Sequence, residues 1–357
     1  MQDEAGTLAQ EQRKLRGDVA KGLQEAYDDD TTEERDIDLE LARIVIFSDQ
    51  HKGTRDGADD FRGCERAYNA ALGYYLEAGY TLVALGDVEE LWECRPSPVI
   101  RSYRNTLELE AEFHRHGRYL RLWGNHDDLW GFESGAAKHL HPIYGEDLKV
   151  HEALKLNARL AGKRIGQIFL VHGHQGTTFS QRYTTFSRIV VRYIWRPLQR
   201  LTRWPSTTPA KDFRLRAQHD VAMYRWAESK HGLVLIAGHT HRPVFESRTH
   251  LGRIEETLKG LRAKTQPTAD DLRRIVEVRA ELEYIKAAEY QGGDTSVQMS
   301  KPCYFNTGCC SFGDGDITGI EISSGLIKLV RWPNDLGRPL PETLAETRVQ
   351  KIFEASS

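Results

Sequence analysis

The sequence predicts an α/β fold in which strands and crossover helices alternate around a parallel or mixed sheet. From Arg43 onward, short apolar runs alternate with longer amphipathic stretches at intervals that suit a strand, a crossover helix and a further strand. Each apolar run is short enough to be a buried strand. The 357 residues, 39% of them hydrophobic, are enough to bury a large core in one big domain or two small ones.

Five apolar runs form the predicted strands, and a polar block carrying Asp, Asn or His follows each of them. The runs are RIVIF (43–47), TLVAL (81–85), YLRLW (119–123), IFLV (168–171) and LVLIA (233–237). The blocks are, in the same order, SDQH, GDVEE, GNHDD, HGHQ and GHTH. Because the strand ends of an α/β sheet line up along one edge, we expect these blocks to converge and form a ligand site.

The polar blocks supply carboxylate oxygen, amide oxygen and imidazole nitrogen, with no thiolate. The side chains are Asp49, His51, Asp87, Asn125, His126, His172, His174, His239 and His241. Such donors suit manganese, iron, zinc or nickel, and argue against a structural cysteine-rich zinc site. A single strand-end Asp or Asn is more often a turn former or a helix cap, so the metal interpretation depends on the set.

The number of donors predicts two ions rather than one. Seven or more ligands exceed what one ion takes from a protein while leaving room for substrate, whereas two ions that share a carboxylate would use them. Two ions roughly 3.5 to 4 Å apart can hold a bridging hydroxide as the nucleophile for an in-line displacement at phosphorus. Phosphoester hydrolysis is therefore the predicted chemistry.

The order DQH, GD, GNHD, HGH and GHTH resembles the calcineurin-like metallophosphoesterase superfamily over roughly residues 43–245. The resemblance implies an αββα sandwich, with two mixed β-sheets flanked by helices and, in this chain, helical insertions. It implies two divalent ions, for which manganese is preferred. Asp49, His51 and His241 would hold one ion, Asn125, His172 and His239 the other, and Asp87 would bridge both.

His126 is expected to act on the substrate without binding metal. As an imidazolium beside a phosphate oxygen, it can stabilise developing charge or protonate the leaving alkoxide. Its neighbour Asp127 is placed by sequence to hold the imidazole ring. We therefore predict His126 and Asp127 as the catalytic pair. His174 is expected either to orient a metal ligand or to contact the substrate.

Two further stretches resemble the UDP-2,3-diacylglucosamine pyrophosphatase-like branch. They are GDVEELWE, and a late YFNTGCCSFGDGDITGIEI that is followed by LIKLVRW. The lipid A enzymes of that branch carry Arg where His126 stands and Asp where His174 stands. The leading prediction is hydrolysis of a phosphodiester or pyrophosphate bond in a small or lipid-linked substrate. The alternatives are a phosphomonoesterase, including a protein serine/threonine phosphatase, and a nuclease.

Residues 177–230 form a basic insertion, with eleven Lys and Arg residues against three acidic ones. Arg188, Arg192, Arg196 and Arg200 recur every four residues and would form one cationic stripe on a helix. We expect a cap that attracts a phosphorylated substrate, with the first three arginines in contact with it. The alternatives are solvated arginines, contact with an anionic membrane surface and, less favoured, binding of nucleic acid.

The remaining segments are predicted to be peripheral to a metallophosphoesterase domain that spans residues 41–335. Residues 1–40 are expected to form a polar tail with a helix and a solvated acidic linker, and residues 336–357 a C-terminal tail. Residues 250–292 are rich in helix formers and predict a helical hairpin that packs on the core or serves a subunit interface.

Composition and targeting signals predict a cytoplasmic protein, with peripheral membrane contact as an alternative. The net charge of -3 gives no overall attraction to nucleic acid or anionic lipid. The sequence has no run of eighteen apolar residues and no signal-peptide pattern at its N-terminus. The five cysteines show no CxxC pair and are expected to be reduced and structural.

Overall fold

Two seven-stranded β-sheets lie at the centre of the computed structural model. The structure describes residues 2–176, 209–249 and 299–356, apart from 336 and 338, together with isolated positions between 255 and 279. The helices of these ranges are α1 (Gln2–Asp28), α2 (Phe61–Glu77), α3 (Pro96–Ser102), α4 (Arg104–Arg115), α5 (Glu133–His139), α6 (His141–Tyr144), α7 (Pro209–Glu228) and α8 (Val349–Ser356). The strands are β1 (Glu33–Asp38), β2 (Arg43–Phe47), β3 (Thr81–Leu85), β4 (Tyr119–Leu122), β5 (Val150–His151), β6 (Ala153–Leu160), β7 (Lys163–Val171), β8 (Leu233–Ala237), β9 (Val244–Phe245), β10 (Arg248–Thr249), β11 (Tyr304–Asn306), β12 (Ile317–Ser323), β13 (Leu326–Trp332) and β14 (Glu342–Arg348).

Both sheets mix parallel and antiparallel pairs. The first sheet has the order β1-β6-β7-β8-β11-β9-β10, and the second has the order β14-β13-β12-β2-β3-β4-β5. In the second sheet, β2, β3 and β4 are parallel neighbours. In the first sheet, β7 and β8 are parallel neighbours. The five predicted strands are therefore all present, but they are divided between two sheets rather than gathered in one.

The two sheets pack face to face, because successive buried residues of a strand point to opposite faces of its sheet. One face packs against helices and the other against the second sheet. In β2, Val45 belongs to the core beneath α2 and α4, whereas Ile46 belongs to the core between the sheets. The layer between the sheets joins side chains of both, among them Ile44, Val83 and Leu122 from the second sheet and Leu154, Leu170 and Ile236 from the first. Helices α1 and α7 cover the outer face of the first sheet. The predicted αββα sandwich is confirmed.

The two terminal segments differ from expectation because both join the sandwich. In α1, Val19 and Leu23 are fully buried in the core beneath α7. The segment expected to be an acidic linker contains β1, which pairs in parallel with β6. The segment expected to be a C-terminal tail contains β14, paired with β13, and α8, which buries Ile352 and Phe353. Backbone pairing with a neighbouring strand holds these polar segments in place.

The two insertions are described only in part. Residues 177–208 lie outside the described residues, and Arg188, Arg192 and Arg196 are among them, so their predicted role as substrate contacts stays a prediction. The rest of the basic insertion contains α7. Most of 250–292 also lies outside the described residues, and Leu258 and Val276 are two of its described positions, both helical. None of the described helices combines the length and the apolar character needed to span a bilayer.

Candidate metal centre

The carboxyl ends of β2, β3 and β4 in one sheet and of β7 and β8 in the other lie on the same side of the sandwich. His172, directly after β7, has its Nε2 3.1 Å from Oδ2 of Asp87, two residues after β3. His241, after β8, has its Nε2 3.1 Å from Oδ1 of Asp49, after β2. The polar blocks therefore converge, as expected, but across the boundary between two sheets.

Three side chains form a first cluster of donor atoms, which we call donor set one: Asp49, His51 and His241. Their ligand atoms all lie within 4.8 Å of one another. The His51 and His241 Nε2 atoms are 3.2 Å apart, a separation at which two imidazoles can face one cation. Burial raises the pKa of the Asp49 carboxyl, but His241 and His172 outweigh this effect and hold the pKa well below its usual range. Asp49 is therefore ionised, as a metal ligand must be.

A second cluster, donor set two, consists of Asp87, His172 and His239, whose ligand atoms also lie within 4.8 Å of one another. The His172 Nδ1 lies 2.9 Å from the Leu85 carbonyl oxygen. Its N–H donates there, which leaves Nε2 available as a ligand. Asp87 lies between the sets, because its Oδ2 is also 3.7 Å from Nε2 of His51. This is the place that a bridging carboxylate would occupy.

Unsatisfied buried atoms test whether these residues fit a metal. Oδ1 of Asp49, Oδ1 of Asn125 and Nε2 of His172 are buried and make no hydrogen bond of good geometry with the described residues, although His241 lies 3.1 Å from the first atom and Asp87 3.1 Å from the third. Buried polar atoms without partners are costly and rare in proteins, and bound ions are one of the ordinary explanations. All three belong to the predicted ligand set. The donor chemistry and the unsatisfied atoms therefore both fit divalent cations.

The backbone of the site is held in an uncommon conformation. Five of the predicted ligands lie in the left-handed region: Asp49 (φ 55°), His51 (φ 50°), Asp87 (φ 52°), His239 (φ 68°) and His241 (φ 55°). Non-glycine residues pay roughly 1 kcal/mol or more to adopt this region, and such residues cluster at functional sites. These residues lie in three loops, and their backbone conformation turns side chains from separate strands toward the same centre.

Two motif glycines are required because the loops approach one another closely. A Cβ added to Gly124 would lie 2.6 Å from the backbone nitrogen of Asp87. A Cβ added to Gly238 would lie 2.6 Å from Oδ2 of Asp49. Real Cβ atoms do not approach other atoms so closely, so each glycine lets one ligand loop lie directly against another.

The His126 ring is held on three sides. Its Nδ1 lies 2.7 Å from Oε2 of Glu90, and the Trp92 ring stacks on it with centroids 4.6 Å apart and 19° between the planes. The His51 ring meets it edge-on at 4.6 Å. Burial lowers the pKa of His126, but the Glu90 and Asp87 carboxylates outweigh it and raise the pKa above its ordinary value. The geometry favours a protonated imidazole in a fixed orientation.

The carboxylate beside His126 is that of Glu90, whereas the sequence suggested Asp127. Asp127 accepts backbone N–H bonds instead, from Gly124 at 2.6 Å and from Val88 at 2.9 Å. It thus ties the loop after β4 to the loop after β3 and is fully buried. Sequence proximity favoured Asp127, but the turn that carries Asn125 and His126 rotates the next side chain inward. Glu90 belongs to the GDVEELWE stretch, so the signal for it was in the sequence.

His174 is buried rather than presented at the surface of the site. It is 2% exposed, and its ring lies 4.9 Å from that of Trp123 and 5.5 Å from that of His172. Of the two roles expected for His174, this position favours orienting the neighbouring ligand over contacting the substrate.

The late NTG stretch stabilises two of the ligand loops through hydrogen bonds. Ser48 donates to Oδ2 of Asp49, and its hydroxyl lies 2.6 Å from that of Thr307. Asn306 Nδ2 donates to the Gly238 carbonyl at 2.6 Å. The sequence pattern of this stretch resembles a family branch but does not indicate its contacts with the metal loops, because those contacts span more than sixty residues.

Comparison with known proteins assigns the central part of the chain to one family. Residues 42–243 match the calcineurin-like phosphoesterases, and this span contains both donor sets, His126 and Glu90. A solved structure of a conserved uncharacterised protein from Streptococcus pneumoniae TIGR4, described as a predicted phosphoesterase, is similar at 13% sequence identity. That similarity covers 85% of this chain and 97% of the other, with a TM-score of 0.27. No curated protein matches this chain.

Proposed function

We propose, from the premise that this chain belongs to the calcineurin-like phosphoesterase family, that it hydrolyses a phosphodiester or pyrophosphate bond in a small or lipid-linked substrate. Family membership makes the chain a metal-dependent phosphoric ester hydrolase. The observation that carries a dinuclear mechanism is the position of Asp87 between two donor sets, 3.1 Å from His172 Nε2 and 3.7 Å from His51 Nε2. We infer a dinuclear centre with Asp87 as the shared ligand.

The proposed ligands are those of the two donor sets, with Asn125 added to set two through its unsatisfied Oδ1. Two divalent ions, for which manganese is preferred, would supply positive charge beside the phosphoryl oxygens and a water of lowered pKa as the nucleophile. Imidazole and carboxylate donors suit manganese, iron, zinc and nickel, so metal supply contributes to the choice.

His126 is proposed to act on the leaving group. Its Nδ1 is occupied by Glu90, so Nε2 is the nitrogen that we assign to a substrate oxygen. A protonated His126 stabilises negative charge on that oxygen and donates a proton to the departing alkoxide or phosphate. General acid catalysis of this kind contributes roughly 10²- to 10⁴-fold in rate. Glu90 and Trp92 hold the ring and do not themselves react.

The preference for a diester or pyrophosphate is supported by the stretches that resemble the pyrophosphatase-like branch. Both stretches meet at the centre: Glu90 and Trp92 of GDVEELWE contact His126, and Asn306 and Thr307 of the late stretch hold the ligand loops. The basic insertion is proposed to attract the anionic substrate, with an anionic membrane surface as a further partner. We also propose a cytoplasmic location, which the five free cysteines support.

A substrate panel with manganese supplied tests the proposal. The panel compares p-nitrophenyl phosphate, bis(p-nitrophenyl) phosphate and a UDP-linked pyrophosphate at equal concentrations. We expect higher kcat/KM for the diester or the pyrophosphate, and loss of all activity in Asp87→Asn. Preference for the monoester would overturn the substrate class in favour of a phosphomonoesterase, and a manganese-loaded chain inert on the whole panel would overturn the enzyme assignment.

A further inference from the structure

Helix α7, which forms the second part of the basic insertion, carries two buried polar residues against the metal centre. His219 is 5% exposed and Asp220 is 1% exposed. Neither belongs to the predicted ligands, and neither lies in a motif that the sequence singled out. Since burying polar side chains is costly unless their bonds are satisfied, their partners indicate what they do.

His219 contacts both loops that supply the histidines of donor set two. Its Nε2 lies 2.6 Å from the carbonyl oxygen of Gly173, the residue that follows His172. Its ring meets the His239 ring in an edge-on contact, with centroids 5.0 Å apart and 62° between the planes. One side chain therefore sets the backbone turn after one ligand and the ring orientation of the other.

Asp220 anchors the helix at this place. Its Oδ1 accepts bonds from the Thr240 hydroxyl and from the Tyr304 hydroxyl, both at 2.8 Å. Its Oδ2 lies 3.2 Å from Nη1 of Arg242. Because Thr240 and Arg242 flank His241 in the GHTH loop, Asp220 fixes α7 to that loop. The neighbouring His219 is thereby held in register with His172 and His239.

We propose that His219 is a positioning residue for the ion at donor set two, an inference that rests on the proposed dinuclear centre. The hydrogen bond of His219 is to Gly173, which follows His172, and its ring contact is with the His239 ring, so both contacts lie at ligands of donor set two. Residues that orient metal ligands change metal affinity by about 10- to 100-fold when they are removed. Loss of His219 therefore weakens one ion selectively.

The test measures manganese bound by the full chain rather than activity alone. His219→Leu removes the hydrogen bond and the imidazole, whereas His219→Gln keeps an N–H donor for the Gly173 carbonyl. His114→Leu is the matched control, because His114 is a mostly buried histidine whose Nε2 lies 3.2 Å from Oδ1 of Asp147, away from the centre. Manganese per chain is measured by elemental analysis after dialysis, and affinities by calorimetric titration.

We expect two manganese ions per chain in wild type and in His114→Leu. In His219→Leu we expect one ion bound as in wild type and the other weakened about 10- to 100-fold, with His219→Gln closer to wild type. At saturating manganese, kcat of His219→Leu should return close to the wild-type value. Wild-type affinity for both ions in His219→Leu, equal weakening of both, or a low kcat with both ions bound would each overturn the inference.

The wild-type measurement separates this inference from the proposed function. A wild-type chain that hydrolyses diesters with one manganese ion would overturn the dinuclear centre, and the inference with it. A wild-type chain with two ions, together with an unaffected His219→Leu, would overturn the inference and leave the proposed function standing. Thermal melting of each variant without metal identifies a folding defect. If His219→Leu fails to fold, the manganese affinities of His219→Gln test the inference instead.

Discussion

Glu90 and His126 form a close pair in which the carboxylate Oε2 lies 2.7 Å from the imidazole Nδ1. The same Oε2 lies 3.1 Å from Nδ1 of His51. One carboxylate therefore fixes the residue proposed to protonate the leaving group and a residue proposed to hold a metal. This shared contact couples metal binding at His51 to proton donation by His126.

Glu90→Gln is expected to lower kcat by about 10- to 100-fold, because it removes the negative charge that orients His126 and keeps its ring protonated. His126→Ala should lower kcat by at least as much while manganese content stays at the wild-type level. If Glu90 acts through His126, the kcat of the variant that combines Glu90→Gln with His126→Ala is little lower than that of His126→Ala alone. Steady-state kinetics with metal analysis checks this, with the exposed Glu133→Gln as control. Additive losses would show that Glu90 acts through His51 rather than through His126.

Trp92 is expected to contribute through its stack on the His126 ring. Aromatic pairs of this kind are worth about 0.5 to 1.5 kcal/mol beyond simple burial. Trp92→Leu should therefore lower kcat by about 2- to 10-fold, and Trp92→Phe, which keeps a ring, by less. Unchanged KM for a small diester would localise the effect to the histidine. Equal kcat in the Leu and Phe variants would mean that stacking does not matter.

Gly124→Ala is expected to impair the centre because its new Cβ would lie 2.6 Å from the backbone nitrogen of Asp87. The loops after β3 and β4 must then separate, which should weaken manganese binding and lower the melting temperature. Gly73→Ala is the matched control, since Gly73 lies within α2 and a Cβ there meets no atom within 4 Å. That variant should gain about 0.5 to 1 kcal/mol of stability. Normal metal affinity in Gly124→Ala would contradict the close approach.

Glu110 should make stability depend on pH in the acid range. Its carboxylate accepts bonds from Lys52 and from the hydroxyls of Tyr68 at 3.1 Å and Tyr144 at 2.7 Å. Burial raises the pKa of Glu110, but Lys52 and Arg121 outweigh it and the pKa is lowered. A lowered folded-state pKa adds stability above the unfolded value of about 4.3, and this stability disappears as the pH falls through the folded pKa.

Urea unfolding between pH 7 and pH 3 measures this effect. Wild type should lose free energy of unfolding more steeply below about pH 4.3 than Glu110→Gln. The variant should also be less stable at pH 7, by about 3 kcal/mol, because Lys52 loses its closest carboxylate. Glu108→Gln, which removes a half-buried carboxylate on the same helix, serves as control. Identical pH profiles for wild type and Glu110→Gln would exclude Glu110 as the source.

The fold was predictable from the sequence where strands are buried on both faces. β2, β3 and β8 coincide with their apolar runs, because central strands of a sandwich need continuous hydrophobic residues. β1 and β14 were missed, and each lies at the edge of its sheet. An edge strand is held chiefly by backbone bonds on one side, so sequences such as EERDID and ETLAETR carry little strand signal.

The candidate site was predictable where strand-end motifs carry the chemistry. The donors of both sets were identified from the polar blocks, and the structure brings them together. The partner of His126 was not, since Glu90 and Asp127 both carry a carboxylate and only the turn geometry determines which of them reaches the ring. His219 and Asp220 were also missed, because they lie within a helix and their functional contacts are with loops distant in the sequence. Their roles depend on tertiary structure rather than on local pattern.

The central claim is a dinuclear centre in which Asp87 serves both ions, and a manganese titration of the metal-free chain tests it most directly. The titration follows bound manganese and hydrolysis of bis(p-nitrophenyl) phosphate in the same samples, for wild type and Asp87→Asn. We predict two ions per wild-type chain, activity that requires both, and weakened binding of both ions with no activity in Asp87→Asn. Full activity at one ion per chain, or an Asp87→Asn variant that binds two ions with wild-type affinity, would contradict the claim.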